Sequence, residues 1–179
     1  LINTNSKSSI EYQFGVNRTF KSWCVNRDQY ENEKQKTIDA VLNAIQAKDC
    51  KEDSIKESLI NARMLNLAGN KLSDLSPLGG LTKLRALWLD NNQVDNLKPI
   101  STLSSLIVLS LSNNHISDIQ VLSKFKDLQW LFLSKNQIAK VDYLINLEKI
   151  KVLSIKNNNI DNAKPLLQFN PNTLILANG

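Results

Sequence analysis

The chain is poor in the residues that do chemistry. It has one histidine, His115, and two cysteines, Cys24 and Cys50, set far from it, so a zinc site lacks ligands. No serine or cysteine nucleophile motif accompanies His115 either, and a surface position accounts for it better than a catalytic base does. Glycine is scarce, and its one pair, Gly79-Gly80, is not followed by the lysine and serine of a phosphate-binding loop; it reads as a turn. No apolar stretch approaches the roughly 20 residues that span a bilayer, and no short apolar segment with a basic front looks like a signal peptide. Dense basic runs are missing as well, which argues against nucleic acid as a partner. What is left is a protein expected to have no enzymatic activity, no cofactor, no metal and no membrane span.

The charge is nevertheless uneven. Formal net charge is +5, from 22 Lys+Arg and 17 Asp+Glu. Up to residue 60 there are nine basic and nine acidic residues, and after it thirteen against eight, so the surplus belongs to the second part. That part should prefer an acidic partner. With 179 residues, 42% of them hydrophobic, one continuous structural body is expected.

The dominant feature is a repeat. Asn70, Asn92, Asn114, Asn136 and Asn158 recur at a constant step of 22, and Leu65, Leu87, Leu109, Leu131 and Leu153 keep the same step, followed two residues later by Leu67, Leu89, Leu111, Leu133 and Ile155. Further apolar columns run through Leu72, Val94, Ile116, Ile138 and Ile160 and through Leu78, Ile100, Leu122, Leu144 and Leu166. In each L-x-L the two leucines point one way and the residue between them the other, as a strand requires. One such unit cannot cover its own apolar side, but neighbours stacked about 4.8 Å apart close a continuous core beneath a parallel sheet. The periodic asparagine can serve backbone groups that the sheet leaves unpaired where the chain exits the strand. Prolines at Pro77, Pro99 and Pro165 share a column where a fixed φ can open a short outer helical turn. Asp74, Asp95, Asp118 and Asp161 recur near the same loop, where capping of the outer turns is the plain reading and a calcium ladder the remote one.

These residues, L-x-L-x-x-N-x-[LIV]-x-x-[LIVA] at period 22, resemble the short leucine-rich repeat shared by internalin-like bacterial proteins and the regulatory subunits of protein phosphatase 1. The resemblance covers Leu59 to about Phe169. It implies an α/β solenoid, a right-handed superhelix with a curved parallel sheet on the concave face and short turns or 3-10 helices on the convex face. Two departures stand out: Ala163 in a column otherwise Leu, Ile or Val, and a last turn where Leu174 and Leu176 come one residue early and Gly179 falls where Asn would stand. The division expected is a polar N-terminal segment and helical cap over residues 1–58, then over 59–179 five in-phase repeats plus an incomplete final turn.

A stack of repeats exposes its first core layer unless something covers it. Ile38, Val41, Leu42 and Ile45 follow the spacing of an amphipathic helix with Thr37 as N-cap, and Phe20, Trp23, Cys24 and Arg27 suggest a shorter helix before it. Both cysteines lie here and none in the repeats, which reads as a Cys24–Cys50 disulfide, the alternative being two buried thiols. F-x-x-W-C, T-I-D-A-V-L and D-C-K-E-D, running straight into the repeats, are similar to the N-terminal cap of exported bacterial leucine-rich repeat proteins. That resemblance implies a periplasmic, secreted or surface location; a cytoplasmic phosphatase regulator is the alternative. Asn17-Arg18-Thr19 fits an N-glycosylation pattern, relevant only in a eukaryotic secretory route.

Function is expected where repeats differ while facing out. Trp88 and Phe132 share one outward column, and Val108, Trp130 and Val152 share the other, forming one candidate patch. Asp90, Lys135 and Lys156, with Asn91, Asn113, Ser134 and Asn157, make a polar rim. Aromatics of this kind anchor interfaces; the alternatives are rings lying flat on one another, or a homodimer through the same face. The expected partner is a protein or peptide, and a further alternative makes the chain the recognition part of a larger adhesin or enzyme.

Overall fold

The computed structural model describes residues 19–51, 55, 59 and 62–177. The polar stretch Leu1 to Val16, Asn17 of the glycosylation pattern, the boundary at Ser58, and Gly179 lie outside the described residues. The helices α1 (Phe20–Val25) and α2 (Asn32–Ala44) precede the strands β1 (Met64–Asn66), β2 (Ala86–Trp88), β3 (Val108–Ser110), β4 (Trp130–Phe132), β5 (Val152–Ser154) and β6 (Leu174–Leu176). These strands form one parallel sheet in sequence order. Between successive strands the chain returns through a 3-10 turn, the first at Ser76–Leu78 and the last at Lys164–Gln168. This is the solenoid that the 22-residue period requires, since each coil sets its strand beside the previous one without crossing over.

The leucines of the L-x-L motif are the floor of the sheet. From Leu65 to Leu153, and from Leu67 to Ile155, none is more than 2% exposed. Pro77, Pro99 and Pro165 sit at the first turn of their 3-10 segments, where the missing N–H costs nothing. In four of the five outer turns between the strands, the residue two before the first helical amide caps it. Asp74 Oδ1 accepts from Ser76 N at 2.8 Å and Asp118 Oδ1 from Gln120 N at 2.9 Å, while Asn96 and Asn162 do the same at 3.0 Å. Asp95 and Asp161 therefore do not cap the outer turns as expected, because the asparagine that follows each already occupies the capping position.

From Asn92 onward each ladder asparagine staples two coils. Asn114 Nδ2 donates to Leu89 O at 2.9 Å in the coil before and to Leu111 O at 3.0 Å in its own, and its Oδ1 accepts from Val94 N at 3.0 Å. Asn92, Asn136 and Asn158 repeat the pattern. Asn70 differs: it is exposed and its amide donates only to Ala68 O, since no coil stands before the first repeat for it to join. One residue ahead of the ladder the backbone turns left-handed, at Gly69 (φ 73°), Asn91 (57°), Asn113 (58°), Lys135 (58°) and Asn157 (55°). Glycine and asparagine are the residues that tolerate this region, so the column is explained save for Lys135.

The cap closes the first coil. Phe20, Trp23 and Cys24 of α1, Ile38, Val41 and Leu42 of α2, and Ile55 are buried in the same core as the repeat leucines. The Cys24–Cys50 disulfide is formed, with the two Cα atoms 5.4 Å apart. Arg27 follows α1 in a 3-10 turn and grips Asp39 of α2 through two bonds of 2.6 Å. Thr37 is not a helix cap. The helix begins five residues earlier, and Thr37 is wholly buried inside it, its hydroxyl donating to Asp74 O at 2.7 Å across to the first repeat. The last turn also differs from expectation. Leu153 pairs with Ile175, so the step of 22 holds, Ile175 takes the inward place, and Leu174 and Leu176 join the outward columns.

Candidate functional site

Parallel pairing in register sets the outward residues into straight rows across the sheet. One row runs Ala86, Val108, Trp130, Val152 and the other Trp88, Ser110, Phe132, Ser154. Trp88, Trp130, Phe132, Val108 and Val152 are thus brought onto one face, each half-buried. Met64 and Leu174 extend the first row at either end and are 68% and 54% exposed.

At the centre of this patch lies Ser110. Trp88 and Phe132 flank Ser110 from adjacent strands, roughly 10 Å apart across two strand spacings, and Ser110 beneath them is only 6% exposed. Among the described residues the one ring pair is Trp23 with Tyr30, in the cap. The three concave rings are not stacked on one another, so the flat-lying alternative does not describe them.

The rim is less free than its sequence suggests. Asp90 Oδ1 accepts the Ser110 hydroxyl at 2.6 Å and Ser112 N at 2.9 Å, so this carboxylate is engaged in holding neighbouring coils together. Ser134 and Ser154 share a hydrogen bond of 2.8 Å, and Lys156 N donates to Ser134 Oγ. The side chains of Lys135 and Lys156 are exposed at this margin.

The opposite margin escaped the sequence reading. Lys151, immediately before β5, places its Nζ 5.4 Å from the centroid of the Trp130 ring, a cation–π contact between neighbouring coils. A basic residue directly before an outward position, beside an aromatic one period earlier, was the available signal. Nearby, Lys149 meets Asp127 at 2.6 Å, and this hydrogen bond, helped by the charges of Lys149 and Arg85, holds the Asp127 carboxyl below its ordinary range. His115 is exposed beside its ladder asparagine, its backbone N–H donating to Val94 O. Among the described residues no three His, Cys, Asp or Glu side chains come together as metal ligands would, and no helix is long and apolar enough to cross a membrane.

Known proteins agree with this geometry. The family described as Leucine Rich repeats (2 copies) matches residues 63–103, and that of the single Leucine Rich Repeat matches residues 105–125. No curated protein matches the chain. Among solved structures, internalin C2 from Listeria monocytogenes is 27% identical with a TM-score of 0.64, covering 72% of this chain and 56% of its own. Internalin F from the same organism is 22% identical with a TM-score of 0.65, covering 74% of this chain and 46% of its own. The match thus takes in about half the length of either internalin.

Proposed function

We propose that this chain, an internalin-like leucine-rich repeat protein, binds another protein on the concave face of its sheet, through the patch formed by Trp88, Trp130, Phe132, Val108 and Val152. The observation that carries the reading is the patch itself: three aromatic side chains from two strands, unstacked and half-buried, on one outward face of the sheet. A folded chain gains nothing by leaving such rings in water, and contiguous apolar patches on monomers mark interaction sites. Asp90, Lys135 and Lys156 frame the patch, the first as a support for its floor and the two lysines as contacts.

Location outside the cytoplasm, in a bacterium, is part of the proposal. The disulfide of the cap supports it, because cytosolic reductants keep such pairs open. Self-association through the same face is the competing use of the patch. A benzophenone side chain introduced at position 152, on the concave face, or at position 120, on the convex face, tests the reading in the organism that makes the protein. A different protein cross-linked only from position 152 is expected. Cross-linking only from position 120 overturns the reading, and a cross-link from 152 to a second copy of this chain replaces the foreign partner with a homodimer.

A further inference from the structure

The concave patch has charged margins that narrow the chemistry of whatever covers it. At the entry to each strand the chain turns a repeated corner, in which one carbonyl takes two amides of the next coil. Arg63 O accepts from Arg85 N and Ala86 N at 2.7 and 3.0 Å, and Arg85 O accepts from Ile107 N and Val108 N at the same two distances. Lys151 occupies this corner two coils on from Ile107. Its Nζ stands over the Trp130 ring, so this cation reaches toward the aromatic patch. Arg63 and Arg85 are exposed at the equivalent positions, and Arg85 is close enough to Asp127 to stabilise its ionised form. Across the sheet, Lys135 and Lys156 stand at the exit from the strands.

Cations outnumber the carboxylates on both margins. At the strand entry Asp127 is paired with Lys149, so exposed Glu148 stands against Arg63, Arg85 and Lys151; at the exit Asp90, which keeps its charge while accepting from Ser110 and Ser112, stands against Lys135 and Lys156. An apolar patch therefore lies between two margins on which cations are in excess.

We infer that the occupant of the concave face is an acidic segment of a partner protein carrying one apolar or aromatic anchor, the anchor entering between Trp88 and Phe132 over Ser110 and the flanking carboxylates meeting Arg63, Arg85 and Lys151. The inference rests on the concave-face reading above and adds the chemistry of the partner to it. The Ser110 hydroxyl, already donated to Asp90, leaves a floor suited to an apolar group, and the carboxylates give the segment its register along the strands. Exposed margin charges of this sort act chiefly through long-range attraction, so the interaction weakens as salt rises.

A random peptide library displayed on phage and selected on the full chain in low salt tests this directly. Enriched peptides should combine an excess of Asp and Glu with a Phe, Trp, Leu or Met. A synthetic peptide of that kind should bind the Arg85→Glu/Lys151→Glu variant at least about tenfold more weakly, corresponding to about 1.4 kcal/mol, and a counterpart with Lys in place of its acids should regain affinity on that variant. Both positions are exposed, so circular dichroism should show an unchanged fold. Selection of peptides without acidic excess, an empty selection, or indifference to the charge reversal overturns the acidic assignment. Retained binding to Trp88→Ser/Phe132→Ser, by contrast, overturns the concave-face reading itself.

Discussion

Replacing Asn114 by alanine should be among the most damaging single changes in the repeats, although it removes no apolar contact. Its side chain is 5% exposed and holds Leu89 O, Leu111 O and Val94 N at 2.9–3.0 Å. Alanine leaves two carbonyls and one amide without that partner, inside a stack where the sheet cannot supply another. An unmet buried polar group costs about 1–3 kcal/mol; if water reaches part of the gap, the total should be about 3–5 kcal/mol. Asn70→Ala removes the same atoms from an exposed side chain bonded only to Ala68 O, so its cost should stay within about 0.5 kcal/mol. Urea unfolding followed by circular dichroism reads both, the two variants being compared at unchanged m-value. Equal shifts for Asn70→Ala and Asn114→Ala would refute the reasoning, because they would mean that the column acts through local turn preference and not by joining coils.

Other outcomes follow from single contacts. A Cβ on Gly79 would lie 2.8 Å from Pro99 O, backbone of the next coil, whereas Gly69 has open space but φ +73°; Gly79→Ala should therefore lower the melting temperature while Gly69→Asn, which copies Asn91 and Asn113, should not. Removing the disulfide by Cys24→Ala/Cys50→Ala opens a loop with a sequence separation of 26 and should cost about 3.5 kcal/mol in the loop-entropy account, read as a urea midpoint shift. The Glu33 carboxyl is held below its ordinary range by bonds from Lys36 and then Ser73. Its contribution is thus full above the usual carboxylate range and is lost as pH falls through the lowered value. Glu33→Gln should flatten the acid limb of a melting-temperature profile, and an unchanged limb would contradict this.

The solenoid was legible because its physics is periodic. A leucine every 22 residues with a second two residues on specifies an inward face, and parallel stacking then aligns every column without further information. The cap was legible in composition but not in detail. Thr37 looked like a helix start because threonine favours caps, yet its hydroxyl reaches a carbonyl 37 residues away, which no local pattern encodes. Leu174 and Leu176 carry the leucine of the repeat but not its register, which Ile175 keeps. At the candidate site the outward aromatics were readable from alternation alone. The binding of Asp90 to the next coil and the reach of Lys151 over Trp130 were not, since both depend on side-chain direction between coils.

The most direct test of the binding surface is the affinity of the protein cross-linked from position 152 for wild type and for Trp88→Ser/Trp130→Ser/Phe132→Ser, by titration calorimetry. If a partner covers about a further 100 Å² of each ring, each is worth about 2.5 kcal/mol at 25 cal/mol per Å². The triple variant should then keep its circular dichroism spectrum and melting transition and show no measurable binding. Undiminished affinity in a folded triple variant would contradict the account.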